Sequence, residues 1–209
     1  MNLGVAILSV TALGYVSNWI NGRYLNYKIV RWFYYLGAFV HETSHAILCV
    51  VTGARITEYK VFSSQPHVVH EKSKLPLLGE PLISLAPIAG GLCFLYLVNH
   101  YLLSGYFIIP RFLGWQGIAL EMRGFLVQID LLHWQSWVMI FLFFNLGAMI
   151  GPSPQDLKNM WPLLIVLFFV PWVALANIAF FTAGLILVTL CIQVVLIAVI
   201  GIARAMFRG

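Results

Sequence analysis

Residues 32–52, WFYYLGAFVHETSHAILCVVT, form an apolar run as long as a membrane crossing, with His41, Glu42 and His45 near its middle. About twenty apolar residues at ~1.5 Å rise each span a hydrocarbon core of roughly 30 Å, so the run predicts a transmembrane helix. Ionisable groups inside such a helix are costly, and three of them within five residues point to a function. On a helix, positions i and i+4 share one face. The two imidazoles can therefore bind one Zn²⁺, and Glu42 stands where it can reach a water on that ion. The plainer alternative is a pair of core histidines hydrogen-bonded across helices, with Glu42 paired to a basic neighbour. The density of ionisable groups favours the metal.

The rest of the chain agrees with a membrane setting. Of 209 residues, 61% are hydrophobic and 9% charged, and the mean hydropathy is +0.91. Twelve basic and seven acidic side chains are too few to solvate a water-exposed globule of this size, and the apolar content excludes disorder. No basic stripe with interleaved aromatics accompanies the formal charge of +5, so no nucleic-acid partner is expected; the cations read as flanks of membrane spans. Cys49, Cys93 and Cys191 each sit in an apolar run without C-x-x-C spacing, as buried inert thiols would.

The length ruler predicts an all-α integral membrane protein of about six transmembrane helices in a single polytopic domain, 1–209, with the metal-site core at about 32–162. The spans are 2–20, 32–52, 81–103 and 134–150, followed by two helices in 161–203 joined by a tight turn near 181–184; Pro171 marks an alternative break. The first span lacks a basic n-region and a small-residue cleavage site, and reads as a retained helix. Between 53 and 80, the alternating run 55–62, a turn signal at 63–66 and His67-Val68-Val69-His70-Glu71 predict a small β-hairpin at the membrane edge. The connector 104–133, with Pro110, Arg111, Gly114, Glu121 and Arg123, suits an interfacial or re-entrant segment.

Alternating the sides places Arg55, Lys60, Lys72, Lys74, Lys158, Arg204 and Arg208 against Arg23, Lys28, Arg31, Arg111 and Arg123. The excess on the first side marks it as cytoplasmic, with both termini and the motif nearer that side of the cell membrane.

A catalytic zinc site usually has three protein ligands and an open position. The spans 81–103 and 134–150 make a round trip from the end of span 32–52, so the following connector returns to the side His45 faces. That connector carries Asp156. Asp130 and Glu121 fall on the opposite side, and Glu58 and Glu71 belong to the hairpin, while Glu80 remains an alternative third ligand. Ser153-Pro154-Gln155-Asp156 also reads as a helix start with a capping box, a role compatible with ligation. His67 and His70, three apart on a strand, point to opposite faces and read as ordinary hairpin histidines, with one as an accessory ligand in the minority case. His100 and His133 look interfacial.

With His41, Glu42, His45 and Asp156 in place, residues 37–162 resemble the site-2 protease family of intramembrane zinc metalloproteases. Ser84-Leu85-Ala86-Pro87-Ile88-Ala89-Gly90-Gly91 echoes that family's Gly/Pro-rich span. Asn145, Pro152, Pro154 and Asp156 follow the order of its later motif, with Leu157 where the family usually has glycine. The resemblance implies one Zn²⁺ on His41, His45 and Asp156, Glu42 as the general base, and a substrate-binding Asn145. It also implies a membrane-embedded protein or peptide as substrate. A zinc transporter or sensor, or an inactive protease-like scaffold, would use the same ligands. A transporter should offer polar sites across the whole bilayer, which the other spans lack, and an intact Glu42 argues for turnover.

Overall fold

The computed structural model describes residues 3–24, 28–63, 66–108, 123–149, 151–169 and 173–206. The chain is mostly helical with one small sheet. Helix α1 (Leu3–Tyr24) and helix α2 (Lys28–Thr52) precede strands β1 (Ile56–Lys60) and β2 (His67–His70). Helix α3 (Gly79–Leu97) continues into a π-helical stretch, Val98–Leu102. Helices α4 (Trp134–Met149), α5 (Pro154–Phe169) and α6 (Val173–Met206) complete the chain.

Three stretches among the described residues are long and apolar enough to cross a membrane: Leu3–Asn21, Gly79–Leu102 and Ala176–Ile202. Helix α4 and the segment Pro154–Leu163, bent by 76° at their junction, make a fourth if they count as one broken span. The described residues thus offer three or four candidate crossings by length and composition, where about six were expected. Helix α2, with 25 residues, is long enough to span, but the polar motif dilutes its hydropathy.

The turn expected at 181–184 is absent, because α6 runs unbroken through those residues. Ala179, Phe180, Ala183 and Ile186 are buried against Ala6 and Val10 of α1, and the Thr182 hydroxyl donates to the Ile178 carbonyl at 2.9 Å. Small residues that resemble a turn signal are here the contact face of a continuous helix. Helix α5 is described as far as Phe169 and α6 from Val173; Pro171, the alternative break, lies outside the described residues. So do residues 109–122, which include Pro110, Arg111, Gly114 and Glu121 of the expected interfacial segment.

Apolar side chains gain little by leaving lipid for one another, so helices in a bilayer associate where small residues let backbones meet. Helix α2 uses two such places. A Cβ on Gly37 would stand 2.2 Å from the Asn145 carbonyl oxygen of α4, and one on Gly90 of α3 would stand 1.9 Å from Ser44 Oγ. Gly14 of α1 and Gly151 of the α4–α5 junction meet in the same way, with a Cβ on Gly151 only 2.6 Å from Gly14 Cα. The first two contacts fix α3 and α4 against the middle of α2, and the third ties the α4–α5 junction to α1.

The hairpin forms as expected: β1 and β2 pair antiparallel, Tyr59 opposite Val68 and Lys60 opposite His67, with an irregularity between Ile56 and Glu58. It docks on the α2 face that repeats every four residues. Phe62 packs edge-on against Tyr35 and stacks on Phe39, at 5.9 and 6.4 Å between ring centroids. The Tyr59 hydroxyl lies 2.8 Å from Thr43 Oγ1.

Candidate metal centre

His41 and His45 lie one turn apart on α2, and their Nε2 atoms are 3.2 Å from each other. Asp156, in the first turn of α5, brings Oδ1 to 3.6 Å from His45 Nε2. The three ligand atoms all lie within 4.8 Å of one another. The round trip through α3 and α4 does return Asp156 to the histidines, and Glu80 is occupied elsewhere: its Oε1 accepts the Ser73 backbone N–H at 2.9 Å.

Each imidazole is held by a carbonyl that helix geometry leaves open. Met149 ends α4, so its carbonyl has no intrahelical donor; it accepts His41 Nδ1–H at 2.5 Å. Ile83 lies four residues before Pro87, which sits inside α3 and has no N–H to give back. The Ile83 carbonyl accepts His45 Nδ1–H at 2.8 Å instead. A carbonyl only accepts, so both protons are on Nδ1 and both Nε2 atoms present lone pairs. Two lone pairs at 3.2 Å, beside a carboxylate oxygen, repel unless a cation lies between them. The donor set therefore fits a metal ion, and the carbonyl partners are of the kind that orients metal-binding histidines.

Asp156 combines its two expected roles. Ser153 Oγ accepts the Asp156 N–H at 3.1 Å and Asp156 Oδ2 accepts the Ser153 N–H at 2.9 Å, a reciprocal capping box. The cap uses Oδ2 and leaves Oδ1 for the histidines. Pro154 opens α5 at its first position, where a missing N–H costs nothing.

Glu42 is buried, at 8% exposure, yet it lines a cleft of about 270 Å³. The cleft lies between Ala38, His41 and Glu42 of α2, Pro66 before β2, and Met149, Gly151, Ser153 and Pro154 at the α4–α5 junction. Asp156, His67 and the Val68 backbone N–H are within electrostatic reach of the Glu42 carboxylate, and His70 is within reach of His45. Among the described residues no Lys or Arg pairs with Glu42 or Asp156. Two carboxylates converging without a cation again match a positively charged ion.

Asn145 sits apart from this group. It is fully buried, its Nδ2 donates to the Phe141 carbonyl at 2.9 Å, and its Oδ1 has no partner. It is absent from the cleft lining and lies one turn of α4 before Met149, where its backbone meets Gly37. His67 pairs with Glu58 at 3.5 Å and stays outside the ligand cluster with His70. The parts not anticipated from the sequence are the Ile83 and Met149 carbonyls and Pro87, which orient the two imidazoles. The signal was present in Pro87, since an intrahelical proline frees the carbonyl four residues earlier.

Comparison with protein-family models, with curated proteins and with solved structures finds no match to this chain.

Proposed function

We propose that this chain is an intramembrane zinc metalloprotease of the site-2 protease type, hydrolysing peptide bonds in or near transmembrane segments of membrane-anchored proteins. The observation that carries the reading is the convergence of His41, His45 and Asp156 within 4.8 Å with Glu42 in the adjoining cleft. In this reading α2 crosses the bilayer, α4 and α5 are separate spans, and the site faces the cytoplasmic side of the cell membrane.

His41, His45 and Asp156 would hold one Zn²⁺, which when bound would supply Lewis acidity at the scissile carbonyl. The Glu42 carboxylate accepts a proton from the attacking water and hands it to the leaving amine as the C–N bond breaks. His41 and His45 keep their Nδ1 protons on the Met149 and Ile83 carbonyls, so they hold and orient and do not shuttle. A helical substrate hides its peptide bonds in its own hydrogen bonds and must unwind first. Among the described residues the sheet has two strands, and it reaches the cleft mouth through Pro66, so it can take up an unwound stretch as an added strand.

The test is Glu42→Gln in proteoliposomes containing a membrane-embedded reporter. Zinc content should be unchanged and cleavage should fall by about 10²- to 10⁴-fold. Zinc-dependent cleavage at the unaltered rate would remove Glu42 from the mechanism. Zinc binding with no cleavage of any membrane substrate by the unaltered chain would favour a metal-binding scaffold or transporter.

A further inference from the structure

The segment between the hairpin and α3, residues 72–78, reads KSKLPLL, two lysines followed by three leucines around a proline. Its backbone is tied to the end of α2. Ser73 Oγ and Lys74 N both donate to the Thr52 carbonyl, at 3.0 and 3.2 Å. The stem of Lys74 lies over Gly53, where an added Cβ would come within 3.1 Å of Lys74 Cδ. The loop is thereby held at the height of the last turn of α2.

That height is the border of an exposed apolar surface. Val50 and Val51 in the last turn of α2 are 71% and 70% exposed, and Leu82 in the first turn of α3 is exposed too. Leu75, Leu77 and Leu78 continue this surface across the gap between the two helices, with Leu77 at 93% exposure. Leu77 also has φ 65°, the left-handed conformation that a Cβ disfavours and a glycine would accept without strain. In water a leucine there would carry strain with nothing to contact. At a lipid boundary the side chain has a use.

Lys72 and Lys74 are exposed, and among the described residues neither has an ion-pair partner; the same holds for Arg55 at the start of the hairpin. Glu71 and Glu80 are the acids nearby, which leaves these cations in excess. Cations bordering exposed leucines match the chemistry of an anionic lipid surface, phosphate above and acyl chain below.

We propose that residues 72–78 form a lipid-anchoring loop, with Leu75, Leu77 and Leu78 in the boundary between headgroups and acyl chains and Lys72 and Lys74 on the phosphates of anionic phospholipids. The loop holds the ends of α2 and α3 at a fixed depth. This rests on the membrane setting of the chain and is independent of any hydrolase activity.

The full chain is reconstituted in nanodiscs of phosphatidylcholine with or without phosphatidylglycerol. It carries Leu77→Cys labelled with bimane; Cys93 and Cys191, exposed where buried thiols were expected, are replaced by serine, and the buried Cys49 is kept. Leu77 contacts little, so its replacement leaves the packing intact. Lipids with a doxyl group near the headgroup should quench the label, aqueous iodide should reach it poorly, and doxyl-phosphatidylglycerol should quench more than doxyl-phosphatidylcholine at equal mole fraction. Lys72→Gln with Lys74→Gln should lower that preference about fivefold or more and leave the depth unchanged. Iodide quenching equal to that of the free bimane adduct would overturn the proposal. So would protection from both quenchers, which would mark a protein contact, or an anionic preference untouched by loss of both lysines.

Discussion

His133 meets Asp130 at 2.9 Å just before α4, in the open, while His45 meets Asp156 at 3.6 Å in the interior. At the first pair His133 Nδ1–H donates to Asp130 Oδ2, Asp130 Oδ1 accepts the Leu132 N–H, and both side chains are open to solvent. At the second, the Ile83 carbonyl takes His45 Nδ1–H, so a bare Nε2 faces the carboxylate and another bare Nε2. The shorter contact is a finished hydrogen bond in a turn. The longer one is an open set of lone pairs that a cation completes. What separates the two pairs is the partner of Nδ1–H, the carboxylate itself at His133 and a backbone carbonyl at His45, and the carbonyl at His45 is left open by one proline.

Substitutions should separate the two pairs most sharply through metal content. Asp156→Ala should lower zinc affinity by more than the ~10- to 100-fold that loss of a partner to a ligand costs, measured by chelator competition, whereas Asp130→Ala should leave it unchanged. Equal loss in both would erase the distinction. Pro87→Ala restores an N–H that competes with His45 for the Ile83 carbonyl, and should weaken zinc binding by about 10- to 100-fold with helicity retained. Unchanged affinity would show that the freed carbonyl does not orient His45.

The smallest effect is expected at the exposed pair. The Leu132 N–H, helped by His133, holds the Asp130 carboxyl below its usual value of 3.8. A depressed folded value gives a contribution that is present above the unfolded value and is lost as pH falls through the folded one. Asp130→Asn should therefore melt slightly earlier than the unaltered chain at about pH 6, with the gap closing below about pH 4. A gap that stays constant down to about pH 3 would contradict that origin.

The site was more legible in the sequence than the fold. His41, Glu42 and His45 need only helical spacing, and Asp156 needs only the parity of crossings and a capping pattern, both local or topological facts. The polar motif that reveals the site also blurs the hydropathy of α2, so a count of spans by apolarity and a count by ligands pull apart. Residues 181–184 misled because Ala183 and Gly184 suit a tight turn and a close helix contact equally, and only the position of Ala6 and Val10 on α1 decides between them. Asn145 was placed by resemblance; the structure sets it in the α2–α4 contact, outside the cleft lining. The carbonyls of Ile83 and Met149 could not be assigned to particular histidines before α3 and α4 were packed on α2, since backbone acceptors carry no side-chain signature.

His41, His45 and Asp156 are proposed to hold one metal ion together. Zinc-edge X-ray absorption on the purified, zinc-loaded chain tests this most directly. The expected spectrum has two imidazole nitrogens at about 2.0–2.1 Å and oxygen at about 2.0–2.2 Å, with one imidazole lost in His45→Ala. A spectrum dominated by sulfur at about 2.3 Å, or one unchanged by removing His45, would place the metal elsewhere and contradict the account.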